Sequence, residues 1–221
     1  MTVPQSAPAP ALPRTQSRDA RRTQLIEATI ATLAERGFSR TTLTEVARRA
    51  GLSHGLVLFH FQSKDNLLAE TLDYLSDEYS SNWQAALSAA GPAPEAQLLA
   101  MVQADFSPVV CTPDRLASWC AFWGESQSRP LYQARCGAND AEYNQTLTAI
   151  CEGMNDRYGY THDARRAARL IRITVEGVWL EMMTLVDPYS VQEALKTVLT
   201  GLTALYPRHF AALAEAGSPP E

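Results

Sequence analysis

The chain has 221 residues, enough for one large domain or a small one beside a medium one, and either arrangement can bury a core. Hydrophobic residues make up 46% and charged residues 19%, an ordinary globular composition, and no apolar run reaches the ~20 residues of a membrane span. The net charge of −5 is uneven: residues 1–72 hold nine Lys and Arg against six Asp and Glu, and residues 73–221 hold ten against eighteen. A basic start ahead of an acidic body offers a polyanion a local place to bind, although scatter over solvated faces accounts for the counts equally well.

The first 17 residues are rich in Pro, Ala, Ser and Gln and lack an apolar h-region. They read as a disordered arm, not as a secretory signal. From Arg18 to Arg36, Leu25, Ile26, Ala28, Ile30 and Leu33 recur at helical spacing, and Gly37 ends the run. Thr42-Leu43-Thr44-Glu45 fits a capping box in which Thr42 accepts from the first turn and Glu45 reaches back. That second helix runs to Ala50 and stops at Gly51. Ser53 caps a third helix, His54 to Phe61, which turns Val57 and Phe61 inward, and Ser63 caps a fourth that begins at Lys64. Helix, short glycine turn, helix is the arrangement whose second member enters the DNA major groove. Neither short helix is stable alone, so their core needs the first helix and the start of the fourth.

Thr41-Thr42-Leu43, Glu45-Val46-Ala47, Ala50-Gly51-Leu52-Ser53, Gly55, Phe59-His60-Phe61, Ser63-Lys64-Asp65 and Leu67-Leu68 stand in fixed order and spacing. Across Arg21 to Leu72 this pattern resembles the TetR family of bacterial one-component transcription regulators. The resemblance implies a DNA-binding head over residues 18–64, with Thr42 and Lys64 on phosphates. It also implies that Ser53, His54, Gly55, Leu56, Leu58, Phe59 and His60 face base edges or the DNA backbone. Members commonly carry Tyr-His-Tyr or similar where this chain has Leu58-Phe59-His60. Leu58 cannot donate a hydrogen bond, so a base contact there is apolar, for example to a thymine methyl. His60 keeps the reach of a phosphate ligand, and partial burial is the alternative for Phe59. Arg48 and Arg49 read as a solvated rear face, and Arg14 and Arg18 as part of a flexible tail.

Beyond the head the periodicity is helical throughout, with helices over 64–88, 94–107, 113–128, 130–157, 162–186 and 190–205. The expected fold is therefore all-α: a helix-turn-helix head, a helical body over 65–210, and a frayed tail over 211–221. Leu116 to Gln133 (LASWCAFWGESQSRPLYQ) and Gly177-Val178-Trp179-Leu180 resemble the BetI-type regulators, which respond to choline. Trp119, Phe122 and Trp123 share one helix face, and Trp119, Trp123 and Trp179 are three of only four tryptophans. Aromatics at this spacing also serve as plain core. With the carboxylate of Glu125 close by, they equally suit a quaternary ammonium, each cation–π contact contributing ~0.5–2 kcal/mol. Trp119, Phe122, Trp123, Glu125, Tyr143 and Trp179 are the expected effector-binding set. Arg165, Arg166, Arg169 and Arg172 read as a solvated, ion-paired band, with an anionic effector site as the alternative.

The last two long helices are apolar on more than one side: Leu170, Ile173, Val175, Val178 and Leu185, then Val191, Leu195, Val198, Leu199 and Leu202. In TetR-like proteins such helices pair into a four-helix bundle, which implies a homodimer holding two recognition helices ~34 Å or a multiple of that apart. An enzyme is excluded on motifs: there is no Glu-x-x-His pair, no nucleophile elbow and no phosphate-binding glycine loop. No catalytic residue, metal or cofactor is expected. The four scattered cysteines suit reduced thiols in a cytoplasm. The whole reads as a repressor that binds a palindromic double-stranded DNA operator as a dimer, without a membrane, and releases it to a small-molecule effector such as choline or a related quaternary ammonium. A lipophilic or aromatic effector, or a DNA-binding module with no effector, are the alternatives.

Overall fold

The computed structural model describes the backbone of residues 14–125 and 129–215 and the side chains of 18–125 and 130–211. The expected arm over residues 1–13 and the expected end of a helix at residue 128 lie outside the described residues. Those described form ten α-helices and no strand, a small helix-turn-helix head followed by a larger helical body.

The head consists of α1 (Arg14–Arg40), α2 (Leu43–Ala50), α3 (His54–Phe61) and the opening turns of α4 (Lys64–Ala89). Each short helix starts on a hydroxyl cap. Thr42 Oγ1 accepts from the Glu45 N–H (3.2 Å), Ser53 Oγ from the Leu56 N–H (3.2 Å), and Ser63 Oγ from the Asn66 N–H (3.1 Å). Such caps are each worth about 1 kcal/mol. Gly37 (φ 75°, ψ 174°) interrupts α1, and Gly51 (φ 65°) closes α2 in the left-handed region that glycine enters without steric cost. The sequence reading of Glu45 needs one correction. Its carboxylate does not reach back to the cap but pairs with Arg48 (2.5 Å) and Arg36 (3.0 Å), because two guanidinium groups make stronger charge-assisted bonds than one backbone amide. Leu25, Ile30, Val46, Val57, Phe61 and Leu68, drawn from four helices, close the head's core.

The body comprises the rest of α4, then α5 (Pro94–Asp105), α6 (Pro113–Gly124), α7 (Arg129–Tyr158), α8 (Ala164–Thr184), α9 (Val191–Leu205) and α10 (Pro207–Glu215). Two boundaries differ from expectation. The backbone of Arg14 to Ser17, assigned to the arm, is already helical, and Arg18 is held against the recognition helix with its guanidinium 5.8 Å from the Phe59 ring centroid. At the other end the expected tail from Ala211 is helical through Glu215, behind the fully buried Tyr206 and Phe210, and residues 216–221 lie outside the described residues.

Helix α6 joins head to body. Ser118 Oγ donates to the carbonyl of Ile30 on α1 (3.2 Å), and Phe122 meets Phe38 edge-on at 5.8 Å. Arg115 grips Glu27 of α1 (2.9 and 3.0 Å) and Glu78 of α4 (3.0 Å) together. These packed, charge-paired contacts tie α6 to both α1 and α4.

Candidate effector site and nucleic-acid interface

The middle of the body holds a buried acid. Asp105, on the last turn of α5, is fully excluded from solvent, and the hydroxyls of Tyr79 (2.8 Å) and Tyr143 (2.8 Å) donate to its two oxygens. Burial outweighs those bonds and pushes its carboxyl up to about 6. Both tyrosines are in turn raised well above their usual value, first by burial and then by the Asp105 charge. Beside this triad Tyr79, Trp119, Trp123, Tyr132, Trp179, Asp140 and Arg172 enclose a cavity of about 10 Å³. Trp119 and Trp123 stack at 6.2 Å, Tyr132 stands edge-on to Trp119 at 6.3 Å, and Trp179 is edge-on to Tyr79 at 6.0 Å.

Arg172 of α8 departs from the solvated band. Arg165, Arg166 and Arg169 are exposed, whereas Arg172 turns inward, its side chain only 14% exposed. It binds Asp140 (3.1 Å) and Glu176 (2.6 Å) and lies 4.6 Å over the Tyr143 ring. Its hydrocarbon stem and planar head suit that burial, which a lysine ammonium would resist more strongly. Asp140 and Arg172 also line a second, open groove of about 710 Å³ between α7 and α8. Their ion pair thus borders both the small cavity and the larger groove.

Of the residues singled out from sequence, Trp119, Trp123 and Trp179 meet at this cavity. Tyr143 stands one layer behind, under Arg172 and against Asp105. Phe122 and Glu125 are not brought there. Phe122 packs against Phe38, and Glu125 accepts from Ser39 Oγ (3.3 Å) beside a shallow groove with Arg36 and Phe38. Both lie on the side of α6 that faces the head. Sequence reasoning missed Tyr79, Tyr132, Asp105 and Asp140, and set Arg172 within the solvated band. One signal was available for Asp105, an acid set inside the apolar run Leu98 to Phe106. The others come from three different helices, and only the fold brings them together.

On the head, α3 presents His54, Gly55, Leu58 and Phe59 to solvent, with Phe59 65% exposed, while Leu56 and His60 are partly buried. Burial, then the charges of Arg18 and Arg22, hold His60 below the usual imidazole range, so it is uncharged near neutrality. Thr42 is exposed at the start of α2. Lys64 reaches across to the carbonyls of Phe38 and Ser39 (both 3.3 Å), tying the start of α4 to the end of α1. Arg48 stays on the surface with Glu45, and Arg49 pairs with Glu35.

Comparison with known proteins matches the two parts of the chain separately. Residues 25–71 match the bacterial regulatory proteins of the tetR family, and residues 94–207 match the C-terminal part of BetI-type transcriptional repressors. The HTH-type transcriptional regulator BetI of Paraburkholderia phymatum is 32% identical over 197 residues, covering 84% of this chain and 92% of its own length. BetI of Paraburkholderia xenovorans is 32% identical over 189 residues, with 84% and 93% covered. Among solved structures, a regulator from Pseudomonas aeruginosa PAO1 superposes with a TM-score of 0.70 at 27% identity, covering 87% of this chain and 94% of that one. A regulator from Saccharomonospora viridis, solved in complex with choline, superposes with a TM-score of 0.71 at 20% identity, covering 84% and 96%. These relatives regulate transcription and are not enzymes; with its matching head and body, the chain belongs to the TetR family of transcriptional regulators, as one of the BetI type.

Proposed function

We propose that this regulator is a repressor which holds a palindromic operator as a homodimer and lets it go when a small quaternary ammonium compound enters the aromatic cavity beside Asp105. One observation carries the reading: a cavity walled by five aromatic rings borders α6, the helix that also grips the head through Arg115, Ser118 and Phe122. The choline bound by the Saccharomonospora viridis protein supports the ligand class. So does local charge, since the carboxylates of Asp105, Asp140 and Glu176 face the single guanidinium of Arg172. At about 10 Å³ the cavity is far below the ~300 Å³ of an ordinary small-molecule site. Entry therefore displaces walls, and the half-buried Trp123 on α6 is the natural one to move, carrying α6 against α1.

On the DNA side, Ser53, His54, Gly55, Leu56, Leu58, Phe59 and His60 form the reading edge of α3, with Thr42 and Lys64 as backbone anchors at helix starts. A methyl at Gly55 would meet nothing within 4 Å, so the free protein does not need glycine there; a closely approaching duplex does. Leu58 and Phe59 supply apolar contacts suited to thymine methyls. For the dimer, Leu170, Ile173 and Leu180 expose half of their surface along one stripe of α8, opposite the stripe of Ile171, Val175 and Val178 that packs inward. A stripe of that kind on a terminal helix pair fits an isologous four-helix contact.

The test is a fluorescence-anisotropy assay on a labelled duplex from the protein's own promoter, titrated with choline and with trimethylglycine. Release by either, lost in Trp123→Ala, is the expected result. Operator binding that neither compound disturbs would remove the ligand assignment and point to a lipophilic effector or none.

A further inference from the structure

Two donors on cavity-lining side chains have no acceptor. Arg172 Nη1 and Trp179 Nε1 are both buried, both side chains line the cavity, and neither atom has a hydrogen-bond partner. A buried N–H left unpaired costs about 1–3 kcal/mol, more where the donor is charged. The aromatic faces explain a cation; they do not explain a charged donor and an indole N–H beside them. We infer that the effector is zwitterionic: a compact quaternary ammonium carrying a carboxylate, with its ammonium on the rings and its carboxylate on Arg172 and Trp179. This rests on the proposed function and narrows the ligand class within it.

Charge balance points the same way. Arg172 pairs with Asp140, and these two residues line both the cavity and the larger groove. A ligand arriving from the groove parts that pair. A plain cation would satisfy Asp140 but leave the guanidinium with Glu176 alone, the N–H groups freed from Asp140 without an acceptor in a poorly solvated place. A zwitterion inserts between them, giving its carboxylate to Arg172 and its ammonium to the rings and Asp140, so each buried charge keeps an opposite neighbour. Carboxylate on guanidinium is also a strong, directional pairing. The competing account is one trapped water, since about 10 Å³ is close to the smallest space that holds one. A water-filled wall gives no preference for a carboxylate-bearing ligand.

Isothermal calorimetry on the full-length protein with tetramethylammonium, choline, trimethylglycine and acetate decides the matter. Trimethylglycine should bind at least about tenfold more tightly than choline or tetramethylammonium, with acetate alone far weaker. Trp179→Phe keeps the ring and deletes the donor, so it should weaken trimethylglycine selectively and leave tetramethylammonium unchanged. Arg172→Lys should weaken trimethylglycine as well; should it fold poorly, the phenylalanine variant carries the test alone, its fold checked by circular dichroism. Choline or tetramethylammonium binding as tightly as trimethylglycine, or Trp179→Phe weakening all three alike, overturns the zwitterion while leaving a quaternary ammonium effector in place. Binding of none of them overturns both readings.

Discussion

Asp105 shows how one residue can carry a penalty that the fold accepts. With no solvent contact and two tyrosine hydroxyls on its oxygens, its carboxyl titrates near 6 in the folded protein, against about 4 in an unfolded chain. The folded state then binds the proton more tightly than the unfolded one, so this group favours folding below pH 4. That contribution fades as pH rises through 6, on the order of 3 kcal/mol in all. The difference in melting temperature between wild type and Asp105→Asn, followed from pH 4 to 8, should fall as pH rises and level off above about 6 to 7. A flat or rising difference would show that the fold does not raise the Asp105 carboxyl above its unfolded value. Residue types were readable in the sequence where one helix supplies the pattern, as with Trp119 and Trp123. They were unreadable where the partner sits on another helix: Arg172 looked like one arginine of four, and only the approach of Asp140 and Tyr143 on α7 turns it inward.

Among the elements, α6 touches both the proposed effector cavity and the head. Its Arg115 is 17% exposed and bridges Glu27, 39% exposed, and Glu78, 18% exposed, so the network is neither fully solvated nor fully buried. Removing the guanidinium leaves two carboxylates facing each other. Partial solvation keeps the cost of Arg115→Ala to roughly 2 kcal/mol, below the 3–5 of a fully buried pair. Urea denaturation measures that loss. Operator release by effector should weaken in the same variant, because α6 then moves without pulling Glu27 of α1; release at wild-type strength would place the coupling elsewhere. The helices themselves were largely legible, since hydroxyl caps, glycine stops and prolines mark their ends. The misses have physical causes. Glu45 found two arginines that the capping-box pattern does not contain, and α10 persists because Tyr206 and Phe210 bury against α9, a tertiary gain that a short polar sequence conceals. Phe122 and Glu125 follow the aromatic run of α6 yet lie on its head-facing side, a distinction that spacing alone does not make.

At the scale of the whole molecule, the proposed dimer turns two small heads into one reader of DNA. Sedimentation should give twice the 24.3 kDa chain mass. Ile173→Glu with Leu180→Glu puts four like charges into the proposed contact, and the expected product is a folded monomer whose operator affinity falls by about 100-fold or more. A dimer that survives both changes moves the interface off this face of α8. The central claim is that cavity and operator are linked, and linkage is reciprocal. The most direct measurement is the affinity of the tightest-binding quaternary ammonium for the protein, first free and then saturated with operator duplex. The account predicts that binding is about 5- to 150-fold weaker on the operator complex; equal affinity in the two states would contradict it.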